Sequence, residues 1–116
     1  MKNKYRLNLK DIPKTLINHG TVNKKVFIRN EDSQTSLTQF AWSKLEASDM
    51  CESHSHPTMD EYFFVISGKG RYIIDNEALE IVKNDFIFIP AGVEHQLLID
   101  DKNENLEIVY FGISKD

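Results

Sequence analysis

The sequence predicts an all-β protein, folded as a sandwich or barrel of short antiparallel strands. Runs rich in β-branched and aromatic residues recur at short intervals from residue 26 to residue 113, and polar or glycine-containing turns separate them. No segment has the apolar repeat of a long helix. With 116 residues, of which 41% are hydrophobic, the chain has the size of one domain with one core.

The first thirty residues are predicted to form an N-terminal arm that ends in a first strand. Asp11 as a helix cap, the early Pro13 and the later Gly20 indicate one short helical turn within residues 11–17. Residues 26–28 are the candidate first strand. The single domain therefore divides into residues 1–30, the arm and first strand, and residues 31–116, the barrel.

The barrel is predicted to contain seven further strands, which the turn residues between them delimit. They are Leu37–Leu45, Glu61–Ser67, Arg71–Asp75, Leu79–Val82, Phe86–Ile89, His95–Ile99 and Leu106–Ile113. Glycines at positions 68 and 70 predict a hairpin turn over residues 67–70, because glycine adopts the positive φ of tight turns. A second turn is predicted at Asn76, and residues 46–53 are expected to form a loop.

The strand that begins at Glu61 is apolar on both faces. If Glu61 points inward, alternation places Phe63 and Val65 on the same side and Tyr62 and Phe64 on the other. A strand that is apolar on both sides has to be covered twice. We therefore expect a homodimer, with the N-terminal arm as an alternative cover for part of the outer face.

Four residues form a candidate metal site. His54 and His56 are one residue apart, so on an extended strand their side chains share a face. Glu61 can bring a carboxylate to that face from the next strand, and His95 can add a third imidazole from a distant part of the chain. Three imidazoles and one carboxylate suit a divalent transition ion.

These residues also carry a family resemblance. His54-Ser55-His56, followed after four residues by Glu61 and after six more by Gly68, resembles the first cupin motif. Pro90-Ala91-Gly92-Val93-Glu94-His95 resembles the second. The resemblance implies an antiparallel double-stranded β-helix, or jelly-roll barrel, with the four residues as metal ligands. It also agrees with a homodimer.

Three positions depart from the motifs without touching the four ligands. Ser48 and Asn84 stand where the family has the opening glycines, and Ile99 stands where it has a closing asparagine. Asparagine tolerates the left-handed backbone region better than most residues. A tight turn at Asn84-Asp85 is therefore still expected before the strand that follows.

Composition excludes several classes of partner. The net charge of −4, with acids and bases interspersed, offers no basic face for nucleic acid. Cys51 is the single cysteine and no signal-peptide run follows the amino terminus, so a reducing, cytoplasmic setting is expected. No apolar run approaches the roughly 20 residues of a membrane span.

The sequence predicts a site for one divalent metal ion and for a small-molecule ligand or substrate. The ion is Zn, Fe, Mn or Ni, and the sequence leaves open whether the protein is an enzyme or a non-catalytic binding or sensing module. An enzyme would act as a dioxygenase, isomerase or decarboxylase on a small oxygen-rich molecule. No general base is identifiable, Cys51 is more simply an inert cysteine than a ligand, and His19 is expected at the surface. Either face of the strand Leu37–Leu45 can line the cavity.

Overall fold

The computed structural model describes residues 5–17, 20, 22–47, 49 and 51–115. These residues form a 3₁₀ turn at Leu9–Asp11, one α-helical turn at Asn30–Ser33 (α1) and nine strands. The strands are β1 (Thr15–Leu16), β2 (Asn23–Arg29), β3 (Leu37–Glu46), β4 (Cys51–His54), β5 (Met59–Ile74), β6 (Glu77–Val82), β7 (Phe86–Ile89), β8 (His95–Leu98) and β9 (Asn105–Ser114). Within this part of the chain, no helix has the length and apolar character needed to cross a bilayer.

The strands form two antiparallel sheets that share β5. The first sheet has the order β1-β2-β3-β9-β5-β7, and the second has the order β4-β8-β5-β6. The buried core draws on both sheets, with Val65, Ile89 and Leu106 from the first and Tyr72 and Leu97 from the second. The curled antiparallel sheet confirms the predicted all-β jelly-roll barrel.

The long strand β5 crosses from one sheet to the other, so the hairpin predicted over residues 67–70 is wrong. Its first half pairs with β7 and β9, and its second half pairs with β6 and β8. Gly68 has a φ of 87°, and a Cβ there would overlap the carbonyl oxygen of Asn105. Glycine inside a strand marks a bend or a close backbone approach as well as a turn. The bend lets Glu61 and Tyr72 face the same interior.

Two other predicted turns are confirmed. Asp75 and Asn76 have φ values of 50° and 66° in the connection between β5 and β6, as a two-residue hairpin turn requires. Asn84 has a φ of 77°, and the N–H of Asp85 donates to the carbonyl of Val82 over 3.0 Å. Asparagine therefore takes the place of the motif glycine in the turn that opens β7.

The helical turn of the N-terminal arm lies earlier than predicted. Asn8 caps it by accepting from the N–H of Lys10 over 3.0 Å, and the turn ends at Asp11 instead of beginning there. Ile12 is extended, with a ψ of 126°, because the residue before a proline is disfavoured in the helical region. The chain then enters β1, which pairs with β2.

The loop predicted over residues 46–53 is partly wrong, because β4 begins at Cys51 and pairs with β8. The sequence of β4, Cys-Glu-Ser-His, lacks the apolar alternation by which short strands are predicted. Its strand conformation is evident only from its pairing with β8, because its own side chains do not indicate it. Ser48, at the motif glycine position, lies outside the described residues.

The first sheet has the two apolar faces that alternation predicts. Phe63 and Val65 are buried, whereas Phe64 is exposed. Five aromatic rings on the outer side of this sheet lie in a continuous series, with neighbouring centroids 4.8 to 5.6 Å apart. The ring of Phe86 lies 6.5 Å from that of Tyr62, and Phe64 is paired with Phe86. We call these side chains the outer aromatic face; they are Phe27, Phe40, Tyr62, Phe64, Phe86, Phe88 and Phe111.

Candidate metal centre

Strands β4 and β8 bring the histidines of the two motifs together. His54 ends β4 and pairs directly with His95, which begins β8, and their ring centroids are 4.3 Å apart. His56 lies in the loop beyond β4, so the prediction that both histidines sit on one strand is wrong. The N–H of Gly92 donates to the His56 carbonyl over 2.8 Å, which ties the two motif loops together. The His56 ring lies 5.0 Å from that of His54.

Glu61 brings the carboxylate from β5. Its side chain is only 12% exposed, and its Oε1 lies 3.2 Å from Nε2 of His95 and 3.7 Å from Nε2 of His56. The neighbouring Asp60 accepts the N–H of Ala91 over 2.8 Å, which anchors the loop before β8. One strand therefore positions the carboxylate and holds the loop that leads to a facing histidine.

Backbone carbonyls fix the tautomers of two of the histidines. Nδ1 of His54 lies 2.8 Å from the Glu52 carbonyl, and Nδ1 of His95 lies 3.0 Å from the Val93 carbonyl. A carbonyl oxygen can only accept, so each Nδ1 carries the proton and donates it. In the neutral ring Nε2 is then the nitrogen with the lone pair. Metal-binding histidines are usually oriented by such a bond from the opposite ring nitrogen.

Nε2 of His95 is buried and makes no hydrogen bond, although Oε1 of Glu61 is 3.2 Å away. A lone pair that faces a carboxylate is repelled by it, and a proton or a cation between the two relieves the repulsion. Burial lowers the pKa of His95, but the Glu61 carboxylate and the Val93 carbonyl together raise it by more, so the net pKa lies above its usual value. A metal ion would satisfy the same two atoms.

Three of the four predicted ligands form a group with metal-binding spacing. One donor atom from each of His54, Glu61 and His95 lies within 4.8 Å of the other two. Two imidazoles and a carboxylate, oriented as above, fit a divalent transition ion. His56 is outside this group, but its Nε2 approaches Glu61. The structure thus contains a His-Glu-His group that can hold a metal ion, and ligation by all four residues stays a prediction.

A cavity of about 140 Å³ adjoins this group inside the barrel. It is smaller than the roughly 300 Å³ of the smallest typical drug-sized pockets, so only a small molecule fits in it. Besides the four predicted ligands, its polar wall includes Cys51, Ser43, Tyr72 and Tyr110. The hydroxyl groups of Ser43 and Tyr110 are 3.1 Å apart and hydrogen-bonded.

Three weakly acidic groups of this wall, those of Cys51, Tyr72 and Tyr110, are held in their protonated forms. Burial raises the pKa of Cys51 to about 11 and that of Tyr110 to about 12, and it raises the pKa of Tyr72 well above its usual value. The negative charge of Glu61 adds to each rise. Around neutral pH these groups are hydrogen-bond donors, not bases or nucleophiles. The cavity therefore suits a ligand that is rich in acceptor oxygens.

The structure decides which face of β3 lines the cavity. Gln39 and Ser43 point inward, whereas Phe40 belongs to the outer aromatic face. Trp42 is also directed away from the cavity, and its indole N–H donates to Glu107 over 2.6 Å. The sequence could not decide between these two sets of side chains. Polar side chains can face inward where the barrel encloses a cavity but not where it is packed, and the sequence does not show which of the two applies at β3.

Several polar residues of the cavity were missed in the sequence. Lys24, Tyr72 and Tyr110 belong to no motif, and the available signal was alternation along β2, β5 and β9. That signal fixes a face without saying whether the face surrounds a cavity or a packed core. His19 lies outside the described residues.

Comparisons with solved structures find the same fold. A predicted oxalate decarboxylase from Thermotoga maritima matches with a TM-score of 0.85 at 21% identity, over 94% of this chain and 98% of that chain. The polyketide cyclase RemF from Streptomyces resistomycificus matches with a TM-score of 0.81 at 13% identity, over 100% of this chain and 81% of that chain. At such identities the likeness concerns the fold alone.

Sequence comparisons identify the family. The protein MJ1618 of Methanocaldococcus jannaschii is 36% identical over 44 residues, which are 38% of this chain and 35% of that protein, so the match spans about a third of its relative. The family model described as the cupin domain matches residues 41–112, which include β4, β5 and β8 with all four predicted ligands. Because this match covers more than half of the chain, the chain belongs to the cupin family.

Proposed function

We propose that this cupin binds one divalent transition ion at His54, His56, Glu61 and His95 and acts there on a small oxygen-rich molecule. The observation that carries the proposal is the buried Nε2 of His95, which faces the Glu61 carboxylate without a hydrogen bond while its Nδ1–H is committed to a carbonyl. A cation between these atoms replaces a repulsive contact with two attractive ones.

The residues of the chain have distinct roles in this proposal. The carbonyls of Glu52 and Val93 orient the His54 and His95 rings, and Glu61 partly neutralises the charge of the ion. When bound, the ion would act as a Lewis acid toward the oxygens of a chelating ligand. The hydroxyl groups of Tyr72 and Tyr110 would donate hydrogen bonds to the same ligand.

An enzyme of the dioxygenase, isomerase or decarboxylase type is the first candidate. Its support is the pairing of a metal-binding group with a small cavity whose walls donate hydrogen bonds. The names of two structural neighbours, a predicted oxalate decarboxylase and a polyketide cyclase, are consistent with chemistry on oxygen-rich molecules. Metal-loaded protein should then convert a member of a panel of organic acids, diketones and sugar derivatives, or consume dioxygen with it.

A non-catalytic binding or sensing module is the second candidate. The observation that favours it is the protonated state of the cavity acids, since Cys51, Tyr72 and Tyr110 are all poor bases near neutral pH. Saturable binding of a panel compound that mass spectrometry finds unchanged would support this module. Turnover with any loaded metal would exclude it.

Metal titration tests what both candidates share. Zinc binding by the protein and by the variants His95→Ala and Glu61→Gln would be measured by calorimetry, with Glu94→Gln as a control. Glu94 is an exposed carboxylate next to His95, so its loss should not change the affinity. Removing a ligand should cost about 100-fold or more, beyond the effect of losing an orienting group. Equal affinities in all four proteins would contradict the proposal.

His56 needs its own variant because it lies beside the three-residue group. If His56 is the fourth ligand, His56→Ala should lower zinc affinity while the thermal unfolding of the metal-free protein stays unchanged. A variant with the affinity of the unmodified protein would reduce the site to three protein ligands.

We also propose that a second copy of the chain covers the outer aromatic face. Phe86 is 62% exposed and Phe88 45% exposed in the chain alone, and their ring centroids lie 6.5 and 5.1 Å from that of Tyr62. A contiguous apolar patch of this kind is typical of an interface, and aromatic residues are enriched in interface cores.

A further inference from the structure

Lys24 places a positive charge in the wall of the cavity that the candidate metal ligands also line, and Gln39 lies beside it. Both residues line this cavity together with His54, Glu61 and His95. Nζ of Lys24 donates to Oε1 of Gln39 over 3.0 Å, and both side chains are partly buried. We call this hydrogen-bonded pair the Lys24–Gln39 pair.

Strand register gives the separation between the backbones of Gln39 and of Glu61 in the metal-binding group. Gln39 is paired with Gly112 on β9, and Gly112 is paired with Glu61 on β5, so the three residues form one row across the sheet. Two inter-strand spacings of about 4.8 Å separate the backbones of Gln39 and Glu61 by roughly 10 Å. A molecule of a few carbon atoms can bridge such a gap between side chains.

Among the described residues, the Lys24–Gln39 pair has no counterion. No described carboxylate forms an ion pair with Lys24, whose hydrogen-bond partner is the neutral amide of Gln39. Burial lowers the pKa of Lys24, and the positive charge of nearby Arg29 lowers it further. A partly buried ammonium beside a second cation is stabilised by an anion that comes from outside the chain.

We propose that the Lys24–Gln39 pair binds an anionic group at one end of a small organic acid, whose other end chelates the ion held by Glu61 and the histidines. The inference rests on the proposed metal site and narrows its substrate class to molecules with a chelating oxygen pair and a second, distal carboxylate. Lys24 neutralises the distal carboxylate, and the amide N–H groups of Gln39 donate to it.

The test uses two ligands that differ only at the distal end. Malate and 2-hydroxybutyrate share a chelating hydroxy acid group, but malate ends in a carboxylate where 2-hydroxybutyrate ends in a methyl group. Their affinities for Co²⁺-loaded protein would be measured by calorimetry and by the visible spectrum of the ion. Lys24→Met is the test variant, and Lys44→Met is the matched control, an exposed lysine that points out of the same sheet.

The unmodified protein and Lys44→Met should bind malate at least about tenfold more tightly than 2-hydroxybutyrate, the value of one charge-assisted hydrogen bond. Lys24→Met should lose that preference and retain its Co²⁺ affinity. A preference that survives in Lys24→Met, or is missing from the unmodified protein, would overturn the inference. Failure of the proposed metal site is separate, because Co²⁺ itself would then not bind before either acid is added.

Discussion

The two faces of the first sheet are both apolar, but their surroundings differ. On the inner face of β5, Glu61, Phe63 and Val65 are 9%, 6% and 0% exposed, and they close around the core and the cavity. On the outer face, Phe64 of the same strand is 42% exposed and is paired with Phe86 of β7. Strand alternation thus separates the residues of the candidate site from those of the proposed interface, so each face can be altered with limited effect on the other.

Adjacent phenylalanines test this separation with the largest expected effect. Phe63→Ala should destabilise the isolated chain by about 3–5 kcal/mol, because it removes a buried ring from between Tyr72 and Tyr110. Phe64→Ala should cost less than about 1 kcal/mol, because the ring is already partly in water. Urea unfolding at low protein concentration measures both. Equal losses would mean that the outer ring is packed as tightly as the inner one.

Association should depend on the outer face alone. A double substitution, Phe86→Ser with Phe88→Ser, removes the two most exposed rings of the outer aromatic face, and it should convert a dimer into a monomer. Leu79→Ser, at an exposed leucine of β6 in the second sheet, is the control and should remain dimeric. Sedimentation velocity distinguishes the two states. An unmodified protein that sediments as a monomer at micromolar concentration would contradict the proposed dimer.

The sequence predicted the structure correctly where one local signal determines a strand or a turn. The apolar alternation of β3, β7 and β9 predicts these strands to within one residue at each end, and Asn76 and Asn84 predict their turns. The glycines of residues 67–70 were misinterpreted, because positive φ at Gly68 is compatible with a hairpin and with a bent strand. Only the partners of β5 on both sides of the bend decide between them.

The residues of the candidate site also divide into those that the sequence predicted and those that it did not. Motif spacing predicted that His54, Glu61 and His95 lie close together, because the order of strands in the family fixes their register. The Lys24–Gln39 pair and Tyr110 were not predictable, since a polar residue on an inward face is also compatible with an ordinary packed core. Their role depends on the space that the barrel leaves open, which is a property of all its strands together.

pH distinguishes the chemistry of the inner face from the assembly of the outer face. Imidazole binds a metal only when it is neutral, so zinc affinity should fall as the pH drops below about 6.5. The raised pKa of His95 should move the start of this fall to higher pH, because protons compete with the ion at lower proton concentration. Dimerisation through aromatic rings should not change over the same range. Zinc affinity that is constant between pH 5 and 8 would contradict ligation by the histidines.

Tyrosines on the two faces give the finest test of the comparison. Tyr110 has its hydroxyl buried in the cavity wall against Ser43, so Tyr110→Phe should cost about 1 kcal/mol through the lost hydrogen bond. Tyr62 stacks on Phe111 on the outer face, and Tyr62→Phe keeps that ring contact, so its effect should stay within about 0.5 kcal/mol.

Alkaline unfolding adds a second, independent measurement. Because the pKa of Tyr110 rises from 10.0 to about 12 in the folded chain, the folded state holds the proton more tightly than the unfolded state. The resulting stabilisation is fully present below pH 10 and is lost as the pH rises through about 12. Tyr110→Phe should reduce the loss of stability across this interval, and Tyr62→Phe should leave it unchanged. Identical alkaline profiles for the two variants would mean that the Tyr110 hydroxyl is not shielded from water.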